Sequence, residues 1–180
     1  PMSRPTPAAL LTLAGNLFAS LLLASWNDYW GRHGLHFHLP GLFFLFAATR
    51  LDLRRGIIVT SLTGLWLDAA TPLPFGFHAF GLVLCLLATR EAGEGLRFVR
   101  GLRPMLYQQA GNLALLLLLG TLSLLTLPEN SEPPLLRLGL DLAASQLLLL
   151  PVSLWFLSFQ DRILQCARSE TIAEEPAPVE

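Results

Sequence analysis

Asp68 closes residues 56–70, a stretch with no other charge, and runs into the breaker Thr71-Pro72-Leu73-Pro74-Phe75-Gly76. A carboxylate on so apolar a segment costs roughly 2.5–3.5 kcal/mol at a bilayer centre, and less toward an interface. An acid placed there must be held or used. It could carry an ion or a proton. It could instead anchor structure, by pairing with an arginine or by accepting hydrogen bonds from the free amides that open the next helix. Gly64 lies one turn earlier on the same helix face and leaves room for a close neighbour. Pro74, Gly76 and His78 belong to the start of the following helix, so the anchoring reading is adopted. On that reading Asp68→Asn, which keeps an oxygen acceptor, is tolerated, and Asp68→Leu is not.

Other polar groups are sparse. Arg137 and Asp141 sit one turn apart and pair along a helix face; an outer polar cluster of Arg137, Asp141 and Asp68 is a further candidate. His33, His36 and His38, with Asp28 nearby, offer zinc-type ligands. Their spacing matches no common structural motif, so no metal and no cofactor is expected. His78 is read as a packed or hydrogen-bonded residue. Asn16, Gln108, Gln109, Asn112 and Gln146 suit hydrogen bonds between helices. There is no nucleophile elbow, Walker loop or His-Glu-x-x-His helix. No catalytic residue is assigned, and an enzyme is not expected.

The elements that position these residues are membrane helices. Apolar residues make up 53% of the 180, charged ones only 14%, and the mean hydropathy is +0.53; a soluble domain carries about a quarter charged. Net charge is −1, which leaves no basic surface for nucleic acid. Six apolar spans are expected, at about 8–26, 35–49, 56–70, 75–89, 105–127 and 135–159, within one domain over 1–168. The first is long enough for roughly 30 Å of hydrocarbon and is read as a span rather than a cleaved signal. The second is interrupted by Pro40-Gly41. The second, third and fourth are short, so tilt or partial unwinding is expected. Residues 169–180 form an acidic, proline-containing tail expected to be disordered. Pairs such as Gly15 with Ala19, Ser20 with Ala24 and Gly139 with Ala143 suit close helix contacts. Cys85 in the fourth span and Cys166 near the tail are not expected to form a disulfide.

Arginine placement gives orientation. Arg4, Arg50, Arg54, Arg55, Arg90, Arg97, Arg100, Arg103, Arg162 and Arg168 fall on one side of this threading, Arg32 and Arg137 on the other. The positive-inside rule then puts both termini in the cytoplasm of a multi-pass plasma-membrane protein. Trp26, Tyr29 and Trp30 are expected at the outer interface, and Trp155, Phe156 and Phe159 at the inner one.

Residues 40–80 resemble the MreD family of bacterial rod-shape-determining membrane proteins. The resemblance rests on Pro40 opening the second span, Arg50 ending it and Gly56 starting the third, then on Gly64-Leu65-Trp66-Leu67-Asp68 and Pro74-Phe75-Gly76-Phe77-His78-Ala79. Length, six spans and cytoplasmic termini agree. The family often has an acid directly after the proline of the second span, where this chain has Gly41. The resemblance implies a non-enzymatic inner-membrane scaffold of the cell-elongation machinery, supporting peptidoglycan synthesis and cell shape. Its implied partners are a bitopic MreC-like protein and, indirectly, an MreB-like filament, a RodA-type glycosyltransferase and a penicillin-binding transpeptidase. The family is also similar in fold to the substrate-binding subunits of energy-coupling-factor vitamin transporters. That similarity supplies the alternative, a small-molecule uptake subunit with an outward polar pocket.

Overall fold

A computed structural model describes residues 7–71, 74–92, 103–125 and 135–173. Pro72 and Leu73 of the breaker, Arg4, Arg97 and Arg100 of the arginine count, the loop 126–134 and the tail 174–180 lie outside the described residues. Among the described residues the protein is all-helical, with six α-helices and no strand. These are α1 (Pro7–Gly31), α2 (Leu45–Arg50), α3 (Leu53–Ala69), α4 (Phe77–Ala92), α5 (Arg103–Leu125) and α6 (Leu135–Ala173). Among the described residues three helical stretches are long and apolar enough to cross a membrane: Ala8–Gly31, Met105–Leu122 and Leu135–Cys166.

Two differences from the sequence reading matter. The span expected over 35–49, with its interruption at Pro40-Gly41 and partial unwinding, is unwound further than that: it is extended over 35–39, makes a 3₁₀ turn at Pro40–Leu42, and is α-helical only from Leu45. Proline at position 40 removes a donor and fixes φ, so the chain turns there rather than continuing a helix. The sixth helix reaches Ala173, fourteen residues past the expected end at 159 and into the segment read as disordered tail.

Residues 39–48 are all buried, and Phe43, Phe44, Leu45 and Ala47 are fully so. This short irregular segment is therefore the centre of the molecule, with the long helices arranged around it. Phe156 meets Phe43 edge-on at 6.1 Å and is fully buried, so it is a core residue and not the interface residue expected. Trp26, Tyr29 and Trp30 cluster with Phe37 beside the extended segment.

α3 starts where Asp52, in an extended conformation, accepts a bond from the Arg55 amide at 3.3 Å. Such a cap satisfies a donor that every helix start leaves open. α3 and α4 form the tightest pair, running antiparallel: Gly64 faces Ala79, and Gly56 faces Leu86 and Arg90. A Cβ at Gly64 would stand 2.3 Å from Ala79 Cα, so only glycine permits this approach. At the other end of the pair, the Arg90 guanidinium donates to the Leu51 and Ala47 carbonyls, closing the C-terminus of α2. Of the small-residue pairs, Gly15 lies against Gln160, whereas a Cβ at Gly139 would meet nothing within 4 Å.

Candidate functional site

The α3–α4 junction gathers the residues singled out around Asp68. Its carboxylate is fully buried and accepts four hydrogen bonds. Oδ2 takes the Gly76 amide at 3.0 Å and the Ala79 amide at 3.3 Å. Oδ1 takes the His78 amide at 2.8 Å and faces His78 Nδ1 at 2.9 Å. With the acid ionised, Nδ1 carries the proton that makes this fourth bond. The three amides are the open donors at the start of α4, where the helix dipole also favours an anion.

The local sequence makes this arrangement. Gly76 adopts φ +98°, a conformation that only glycine reaches without strain. That turn lets the 76, 78 and 79 amides converge on one carboxylate. Thr71 Oγ1 donates to the Leu67 carbonyl at 3.1 Å, closing the end of α3. Pro74 precedes the turn and is exposed. Because the acid uses both oxygens, an Asn at 68 keeps only one acceptor and turns its NH₂ toward amide donors.

A second assembly of polar groups holds the extended segment. Backbone in this conformation has no helix or ladder partners, and a buried unpaired amide costs about 1–3 kcal/mol. Side chains from three helices supply the bonds. Asn27 of α1 brackets Phe37, accepting from its amide and donating to its carbonyl, both at 2.8 Å. On α6, Asp141 accepts the His36 amide and Ser145 the His38 amide, each at 2.9 Å. Asn112 of α5 accepts the Gly41 amide at 2.9 Å and donates to the His38 carbonyl at 3.4 Å. The spacing explains the match: amides two apart on an extended chain are roughly 6.6 Å apart. Residues four apart on a helix rise about 6 Å. Asp141 and Ser145 thus read out the His36 and His38 amides in register.

Arg137 and Asp141 do not pair with each other, as expected from their spacing, but both meet His36: the guanidinium contacts His36 Nδ1 at 3.3 Å. Asp68 bonds to α4 and makes no bond with either, so the three-residue outer cluster is not formed. His38 lies within electrostatic reach of His36, Asp141 and His78. His33 packs against Tyr29 and Trp30. Among the described residues no group of three His, Cys, Asp or Glu side chains is placed to hold a metal ion.

Deeper in the bundle, Asn16 of α1 donates to Thr63 Oγ1 at 3.0 Å and accepts from Gln160 Nε2 at 2.9 Å, tying α1, α3 and α6 together. Gln109 donates to the Gln146 carbonyl at 3.2 Å. The side-chain amides of Gln108 and Gln146, expected to bridge helices, are buried without a hydrogen-bond partner among the described residues. Sequence reasoning missed Asn27, Ser145, Gln160 and Thr63. The one available signal was the coincidence of spacing between residues 36 and 38 and residues 141 and 145.

Compared with known proteins, the chain matches no family model, no curated protein and no solved structure.

Proposed function

We propose that this chain is a six-crossing membrane scaffold of the MreD type, embedded in the bacterial inner membrane with both termini cytoplasmic and serving cell elongation through an MreC-like partner. The observation that carries the reading is that Pro40, Gly64, Asp68, Gly76 and His78 of the motif are engaged in building the fold. Pro40 turns the central segment, Gly64 admits Ala79, and Asp68 spends both oxygens on the Gly76, His78 and Ala79 amides. An acid so fully used as a clamp suits a scaffold.

Embedding is supported by the distribution of polarity. Thr12, Asn16, Thr63, Gln108, Asn112, Ser145 and Gln160 are buried, while Phe18, Phe80, Leu136, Leu147 and Trp155 are among many large apolar residues exposed. An apolar exterior of this extent is a lipid- or protein-facing surface. The non-helical segment 35–44 agrees, because such backbone is tolerated at membrane depth only when protein encloses it. α3 and α4, with 17 and 16 residues, cross by tilt or local thinning. Where the MreD pattern often has an acid, a Cβ at Gly41 would stand 2.6 Å from Asn112 Cβ; here the polar group comes from α5.

The uptake-subunit reading draws on one observation, the meeting of His36, Asp141 and Arg137 at the outer end. Affinity purification from the native membrane separates the two. A bitopic coiled-coil partner is the expected recovery; a transporter ATPase module with vitamin uptake would reverse the assignment.

A further inference from the structure

The seam between α1 and α6 opens into a slot of about 260 Å³. Leu22 and Trp26 wall it on α1, Val152 and Trp155 on α6, and Leu39 and Leu42 form its floor. All its lining side chains are aliphatic or tryptophan. From Leu39 the floor segment runs outward in extended conformation, at about 3.3 Å per residue. His36 thus lies roughly 10 Å beyond Leu39 by the same rise, and there the Arg137 guanidinium meets its ring.

Arg137 is exposed and forms no ion pair among the described residues; Asp141, one turn on, accepts the His36 amide on Oδ1. At about 100° per residue, Arg137, Val152 and Trp155 fall within roughly 60° of one another on α6. An apolar slot therefore has on its own stripe, toward its outer end, a cation with no ion pair among the described residues. That is the outline of an amphiphile.

We propose that the slot holds one acyl chain of an outer-leaflet phospholipid whose phosphate is bound by Arg137 with His36. An unpaired guanidinium selects a phosphate, with which it makes paired charge-assisted bonds. The volume matches roughly nine liquid-water volumes of about 30 Å³: enough for a stretch of a single hydrocarbon chain, too little for a helix about 10–12 Å across. Along α6, Arg137 stands about 22 Å from Val152, close to the roughly 20 Å of one leaflet with its headgroups. The inference rests on the proposed embedding of α1 and α6 and is independent of the MreC-like partner.

The test uses the full chain in a maltoside detergent, loaded with phosphatidylglycerol and read by native mass spectrometry. Wild type and Leu84→Ala, on an exposed face of α4, should each retain one lipid. Arg137→Gln should bind about tenfold more weakly, the loss of one strong polar contact. Leu22→Trp, which fills the slot from a half-exposed position, should retain none, and excess glycerol phosphate should not displace the lipid. Equal retention by all four proteins would overturn the proposal. So would displacement by glycerol phosphate, or a cross-link from Leu22→Cys to a second copy or to another polypeptide in membranes. A chain that stays monodisperse without any detergent would defeat the embedding itself. Equal retention by an inserted protein would defeat the slot alone.

Discussion

Replacing Asp68 by Leu orphans four donors at once. The His78 amide and imidazole are buried; at about 1–3 kcal/mol for each buried donor left unpaired, their loss alone amounts to roughly 2–6 kcal/mol. A domain has only about 5–15 kcal/mol in total, so Asp68→Leu should give little folded protein. Asp68→Asn is the more informative change. Its oxygen can keep the pair on Oδ1, but an NH₂ then faces the Gly76 and Ala79 amides, donor against donor. Both are only part-buried, so the cost is about 1–3 kcal/mol, or roughly 2–10 °C in melting midpoint for a chain of this size. Thermal stability in detergent, followed by monodisperse recovery after heating, should rank wild type above Asn and Asn above Leu. An Asn variant as stable as wild type would refute the two-oxygen clamp. An Asn variant that stays folded, yet fails in cell-shape complementation as badly as Leu, would show that the charge itself is used, as an ion or proton carrier would use it.

Gly64→Ala should abolish folded yield, because its Cβ would stand 2.3 Å from Ala79 Cα; normal recovery of this variant would contradict the close α3–α4 crossing. Asn112→Leu leaves the Gly41 amide and the His38 carbonyl unpaired and should cost about 2–4 kcal/mol, measured as denaturation in mixed micelles. A control at its exposed neighbour, Leu113→Ala, should cost under about 1 kcal/mol. Cysteines placed in 27–32, 71–73 and 128–133 should label from outside the cell with an impermeant maleimide, and cytoplasmic labelling of any of them would overturn the six-crossing threading.

The α3–α4 junction was legible because its signals are local. A lone acid in an apolar run, a glycine one turn before it, and a Pro-Phe-Gly start to the next helix all lie within about fifteen residues of one another. Even so, the number of acceptor oxygens in use was hidden, and with it the behaviour of Asp68→Asn. The break at Pro40-Gly41 within 35–49 was legible, but the extended form of 35–39 was not, because hydropathy reports burial and not conformation; Leu39-Pro40-Gly41-Leu42-Phe43 is as apolar as a helical span. What makes its extended backbone tenable is a set of single polar residues far away in sequence. Asn27 is near, but Asn112, Asp141 and Ser145 come from seventy to more than a hundred residues downstream. Arg137 and Asp141 show the same limit: helix spacing put them on one face, and the third partner that separates them, His36, came from elsewhere.

Depletion with re-expression in the native cell tests the proposed membrane-embedded scaffold most directly. The affinity-tagged protein should restore rod shape and bring down a bitopic, coiled-coil membrane protein. Asp68→Leu should do neither, in proportion to its lost folded yield. Rod shape unaffected by depletion, with recovery of a transporter ATPase module and loss of vitamin uptake, would contradict the account.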